Sequence, residues 1–174
     1  ALVMTISNIA IAQEQQKSGK ISQWFTKNGM KVLYQQADSL PIIDFRLIFD
    51  AGAARDSEFK TKDGLVLAGL AKLTNGLIFE GTKKLTANQI ADQFADLGVQ
   101  YGNGSYRDMA LVNIRTLSYP QQRDGALALL SGVLAEPVFP DEALQREIAR
   151  MIVALDYEAQ TPSKKAARLF YKAL

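Results

Sequence analysis

The sequence contains no cysteine and no histidine. Without cysteine, these residues can form no disulfide framework, thiolate zinc site or iron–sulfur cluster, and supply no cysteine nucleophile. Without histidine, the chain lacks the side chain that most often acts as general acid or base near neutral pH, and the commonest protein ligand for zinc. A Ser-His-Asp triad or an imidazole metal site would have to take its ring from another chain, so the composition argues against self-sufficient catalysis. Excess charge is also scarce. The 20 Lys and Arg stand against 18 Asp and Glu and leave +2, too little for the clustered positive field that nucleic acid binding requires. No apolar run reaches the roughly 20 residues that a spanning helix needs, so no stable membrane span is expected. What is present is globular: 174 residues, 48% hydrophobic and 22% charged, with 12 Gly and 5 Pro. That supports one domain with a core and excludes a disordered, collagenous or low-complexity chain.

Residues 1–12, ALVMTISNIAIA, carry no charge and end in Ala10-Ile11-Ala12 before the polar run Gln13 to Gln16. An apolar stretch closed by an A-x-A site is the pattern of a secretory signal peptide, here without its basic start or an initiator Met. A partial signal peptide over 1–12 predicts a periplasmic or secreted protein; a short buried helix or strand is the alternative. Residues 13–22 read as a polar leader and 23–174 as one α+β domain, expected to continue past Leu174.

The pattern from Trp24 onward alternates short strands with helices. Trp24 to Lys27 and Met30 to Gln35 flank Asn28-Gly29, which predicts a hairpin with a tight two-residue turn. In IIDFRLIFDAG, Ile43, Phe45, Leu47 and Phe49 share one face and Asp44, Arg46 and Asp50 the other, as in a half-buried strand. Residues 64–79, GLVLAGLAKLTNGLIF, read as a buried helix that carries its glycines at a cost of about 1 kcal/mol each. Thr86 and Gln89 form a capping-box pair ahead of the stripe Ile90, Phe94 and Leu97, and Gly98 ends that helix. Val99 to Tyr106 and Met109 to Leu117 predict a second hairpin, turning near Arg107-Asp108. Pro120 opens a helix that Pro137 ends. Another follows from Pro140, with Leu144, Ile148, Met151, Ile152 and Leu155 on one face, and a last one from Pro162. Strand pairs interleaved with helices give an α+β fold, helices layered on a mostly antiparallel sheet.

Three short motifs do not carry chemistry. Gly102-Asn103-Gly104 begins like a dinucleotide fingerprint, but Arg107 stands where the third glycine belongs and a strand follows. GLIFEGTK from Gly76 ends Gly-Thr-Lys where a phosphate loop ends Gly-Lys-Thr, and a helix is expected there. Ser57-Glu58-Phe59-Lys60 fits S-x-x-K without its supporting motifs. Lys164, Lys165, Arg168 and Lys172 read as a solvated helix face.

Four longer stretches do carry a signal: NGMKVLYQQADSLPIIDFRLIFDAGAARD from Asn28, GLAKLTNGLIFEGT from Gly69, QIADQFADLGVQYGNGSYRDMALVNIRTLS from Gln89, and FPDEALQREIARMIVAL from Phe139. In order, spacing and context they resemble the zinc metallopeptidases that include pitrilysin, insulinase and the mitochondrial processing peptidases. The resemblance runs from Trp24 to the end and implies the family's N-terminal α+β half. In active members the helix like Gly69 to Thr82 carries H-x-x-E-H, two imidazoles one turn apart that grip zinc and a Glu that polarises a bound water. By that correspondence the His positions here are Lys72 and Gly76, and the Glu position is Asn75. The family's third ligand, a Glu seven residues beyond another recurring Glu, falls on Ala154, and the earlier Glu is retained as Glu147.

The resemblance therefore implies a non-catalytic member with no catalytic residue, no metal ligand and no cofactor of its own. Zinc is expected only in a partner, a zinc-bearing sister subunit with which this chain would bind and present peptide substrates for proteolysis. An exposed strand edge could hold such peptides. Two alternatives stay open: an active zinc metalloendopeptidase using ligands outside this chain, and a free-standing peptide-binding scaffold. Glu147 could also simply pair with Arg146 or Arg150, and Lys72 and Asn75 could be plain surface or interface residues.

Overall fold

The Asn28-Gly29 pair does turn the chain, through three residues rather than two. In the computed structural model, which describes residues 19–173, β1 (Ser22–Phe25) pairs antiparallel with β2 (Lys31–Tyr34), Phe25 opposite Lys31. Thr26 N–H donates to the Met30 carbonyl at 2.9 Å and Gly29 N–H to the Thr26 carbonyl at 3.0 Å. Lys27, Asn28 and Gly29 form the loop. Gly29 has φ +84°, whereas no non-glycine among the described residues has positive φ. This is a type I turn closed by a left-handed glycine, not the primed turn expected from the dipeptide. The Thr26 side chain favours the longer loop, because its Oγ1 accepts the Met30 N–H at 3.0 Å.

This hairpin belongs to one of two compact units, Ala1–Leu40; the second is Pro41–Leu174. The signal-peptide reading of residues 1–12, the leader as far as 18, and the Lys172 side chain lie outside the described residues.

The second unit is built on a three-stranded antiparallel sheet in the order β3-β5-β4: β3 is Ile42–Phe49, β4 Gln100–Ser105 and β5 Ala110–Leu117. β5 is central, so it is the strand whose inner face is most fully buried. Ala110, Val112, Ile114 and Thr116 alternate inward, and Val112 and Ile114 are at most 1% exposed. On β3 the expected face is half-buried at Ile43, Phe45 and Leu47, but Phe49, the last residue of that strand, is exposed. The predicted turn is present, with Tyr106 N–H donating to the Met109 carbonyl at 2.8 Å.

Helix α1 (Leu70–Gly76) is much shorter than the 64–79 expected from its apolar run. Gly64 and Gly69 take φ +81° and +92°, which no right-handed helix accommodates. The stretch before the helix is largely exposed, Leu65 at 69%, so hydrophobicity there does not signal burial. The chain also leaves the helix at Gly76 and turns through Leu77–Glu80. From Leu77 onward the GLIFEGTK stretch is therefore turn, and not the buried helix expected there. Helix α2 (Ala87–Asp96) follows expectation closely: the Gln89 N–H donates to Thr86 Oγ1, Gln89 Oε1 accepts the Thr86 N–H at 2.9 Å, and Gly98 stops it at φ +64°.

Helices α3 (Pro120–Ala135), α4 (Asp141–Gln160) and α5 (Pro162–Ala173) complete the unit. α2 and α3 lie on the inner face of the sheet. Ile90, Phe94, Val99, Val112, Ile114, Ala126, Leu130 and Val133 form one core. On α4, Leu144, Ile148 and Met151 are half-buried while Ile152 and Leu155 of the same expected face are exposed. The result is a mixed fold of helices on an antiparallel sheet, as the sequence predicts.

Candidate functional site

Helix α1 has only seven residues and is too short to hold itself. Three attachments fix it. At its start Asp56, in a 3-10 turn over Ala53–Glu58 and only 6% exposed, accepts the Gly69 N–H at 2.7 Å and the Ala71 N–H at 2.9 Å, so a carboxylate caps the positive end of the helix. At its end Asn103 of β4 donates its side-chain amide to the Asn75 carbonyl. Between these, the Asn75 side chain, 7% exposed, donates to the Leu111 carbonyl of β5 at 3.3 Å. α1 is thereby laid against β4 and β5.

The opposite side of α1 meets α4. A side chain at Gly76 would begin 3.6 Å from Glu147 Oε1, and one at Gly69 would meet the Met151 methyl at 3.0 Å. Glu147 is mostly buried, its side chain 22% exposed, and its Oε2 accepts from Arg150 Nη1 at 3.2 Å. Arg146 does not share that carboxylate. It pairs with Glu80, in the turn after α1, at 2.7 Å. The Arg146–Glu80 pair and the Gly76 notch join the two segments, whereas the Glu147–Arg150 pair lies within α4.

The positions singled out in the sequence are thus partly brought together. Gly76 and Glu147 face one another directly. Lys72 is one helical turn before Gly76 on α1 and is exposed. Ala154, nearly two turns after Glu147 on α4, is also exposed. Asn75 points the other way, into the sheet. This donor set does not fit zinc. The Lys72 ammonium repels a cation, Gly76 and Ala154 present no donor atom, and the Asn75 amide, committed to a backbone carbonyl, cannot take a proton from water. Among the described residues no group of three or more His, Cys, Asp or Glu gathers that could hold a metal ion.

Sequence reading missed Asp56. Its signal was faint: a carboxylate 13 residues before the helix it caps follows no local capping rule. The S-x-x-K serine beside it has no catalytic geometry. Ser57 Oγ donates to the Ala54 carbonyl at 3.3 Å.

The profile of the insulinase family, peptidase family M16, matches residues 31–171. The chain belongs to this family. Among curated proteins, an uncharacterized zinc protease from Rickettsia felis is 22% identical over 148 residues, which are 85% of this chain and 34% of that protein. A protein of the same description from Rickettsia bellii matches to the same extent. The crystal structure of a peptidase M16 inactive domain from Pseudomonas fluorescens superposes with a TM-score of 0.80 at 37% identity, covering 89% of this chain and 36% of that one. A protease from Helicobacter pylori, 20% identical with a TM-score of 0.62, covers 82% of this chain and 32% of its own, and shows the shared fold. The chain spans about a third of the length of these relatives.

Proposed function

We propose that this M16 chain is a non-catalytic member that holds no zinc and works beside a zinc-bearing sister subunit, binding and presenting peptides for that subunit to cut. The observation that carries this reading is the Gly76 notch over Glu147. The frame that would place a ligand beside a retained acidic residue persists, and no donor atom fills it. The neighbour from Pseudomonas fluorescens, described as an inactive domain, supports the same reading.

The open edge of β4 is the place proposed for peptide. β4 pairs only with β5 within its sheet, and it carries Asn103, which ties α1 to the sheet. Gly102 and Gly104 add no side chain to obstruct a strand laid beside it. Main-chain hydrogen bonds along such an edge accept varied sequences. The pattern ending in Ala10-Ile11-Ala12 supports a periplasmic or secreted location for this activity.

Metal analysis of the purified full-length protein tests the first part: the expected zinc content is negligible, and stoichiometric zinc with chelator-sensitive peptide cleavage by the protein alone would overturn it. For the second part, tagged full-length protein is captured from its native host. The expected companion keeps H-x-x-E-H and holds zinc, and the pair cleaves peptides that the tagged protein alone leaves intact. Capture of no such companion favours a free-standing scaffold.

A further inference from the structure

We infer that Arg150 takes the place of a metal ion as the counter-charge of Glu147, so that the emptied position is closed to cations and not simply vacant. This rests on the reading of Lys72, Gly76 and Ala154 as emptied ligand positions. Glu147, Arg150 and Ala154 lie three and four residues apart on α4 and so share one face of the helix. Arg150 stands between the other two. Its guanidinium reaches Oε2 of Glu147 at 3.2 Å, while Oε1 of the same carboxylate faces the Gly76 notch. A mostly buried carboxylate left alone is costly, and an arginine beside it supplies a positive charge that cannot be titrated away. The same fixed charge, with Lys72 on the facing helix, opposes entry of a divalent cation. Arg146 cannot serve, because it is engaged by Glu80.

The test puts donors back. In the full chain, the variant K72H/G76H/A154E supplies two imidazoles and a carboxylate, and zinc binding is measured by competition with a chromogenic chelator alongside circular dichroism to verify folding. Removing the guanidinium as well, with R150A, is expected to raise zinc affinity about tenfold, the order of effect of one nearby unit charge at a partly solvated site. The matched control R146A is expected to change it less than about twofold, since that guanidinium is held by Glu80 and its removal frees no charge on Glu147 beside the grafted ligands. If the grafted variant folds and holds zinc but R150A moves its affinity no more than R146A does, the role of Arg150 is overturned and the position reading stands. If neither grafted variant holds zinc, both fall. The unaltered chain gives an independent check. E147Q and R150A together should lower Tm no further than the larger single change, whereas simple additivity would show that the two groups are uncoupled.

Discussion

Asp56 and Ala71, 15 residues apart in sequence, meet at 2.9 Å, the carboxylate accepting the backbone N–H while its other oxygen accepts that of Gly69 at 2.7 Å. One buried side chain therefore satisfies two amides at the start of α1, the helix that carries Lys72, Asn75 and Gly76. Asp56→Ala strands both amides and is expected to cost about 2–3 kcal/mol in urea unfolding, with Asp56→Asn recovering roughly half because an acceptor remains. Equal losses for the two variants would show that the charge, and not the hydrogen bonds, is what matters.

Gly52 lies against the β4-β5 turn so closely that an added Cβ would stand 2.5 Å from the Arg107 carbonyl oxygen and press on the Met109 amide. The neighbouring backbone bonds, Ala53 N–H to Tyr106 at 2.9 Å and Ala54 N–H to Arg107 at 2.7 Å, leave no slack. Gly52→Ala is expected to destabilise by about 1–3 kcal/mol through overpacking. Gly132, inside α3 with open space around it, predicts the opposite sign: Gly132→Ala should stabilise by roughly 0.5–1 kcal/mol. A thermal scan of both variants checks the pair, and matching signs would refute the packing account of Gly52.

Thr116 is 2% exposed on the inner face of β5, and its hydroxyl has no hydrogen-bond partner among the described residues. Valine has nearly the same shape and buries no polar atom. Thr116→Val should therefore raise stability by about 1 kcal/mol, read as a higher urea midpoint at unchanged m-value. A loss instead would mean that the hydroxyl is solvated in solution.

On the outer face of the sheet Asp44 and Arg115 stand opposite one another and form a two-point ion pair at 2.7 and 2.8 Å. The hydrogen bond from Arg115 holds the Asp44 carboxyl below its ordinary pKa, against a small opposing effect of burial. A carboxyl whose pKa is lower folded than unfolded adds stability above the unfolded pKa and loses it as pH falls through the folded one. The contribution is thus present at neutral pH and fades in acid. Both groups are largely exposed, so screening keeps it small. An NMR titration of Asp44 should give a midpoint below that of an unpaired aspartate, and Arg115→Gln should move it upward. An unmoved midpoint would show that the pair does not persist in solution.

The readings that succeeded in sequence were those in which neighbours along the chain decide the outcome. Thr86 and Gln89 are three residues apart, so their reciprocal cap forms within one turn of helix. Ala110, Val112 and Ile114 alternate because a strand has a period of two, and the buried face of β5 follows. Where distant backbone decides, local pattern misleads. The run 64–79 is apolar enough for a long helix, but Gly64 and Gly69 take left-handed φ and delay the helix to Leu70. Asn28-Gly29 names a turn, yet the Thr26 hydroxyl selects the longer loop. The positions on α1 and α4 were assigned by resemblance alone. That Glu147 pairs with Arg150 while Arg146 goes to Glu80 was not legible in the sequence, since both arginines are within reach along the helix.

By itself, the sequence determined which donors this M16 chain can supply: it has no His or Cys, so residue identity alone withholds imidazole and thiolate, and Lys72, Asn75, Gly76 and Ala154 bring none. Only the tertiary structure decided what became of those positions. Packing α4 across α1 turned a missing side chain at Gly76 into a notch over Glu147, and packing α1 on the sheet drew the Asn75 amide to the Leu111 carbonyl. These two contacts join residues tens of positions apart, and their geometry is set by how the elements dock and not by any local preference of the chain.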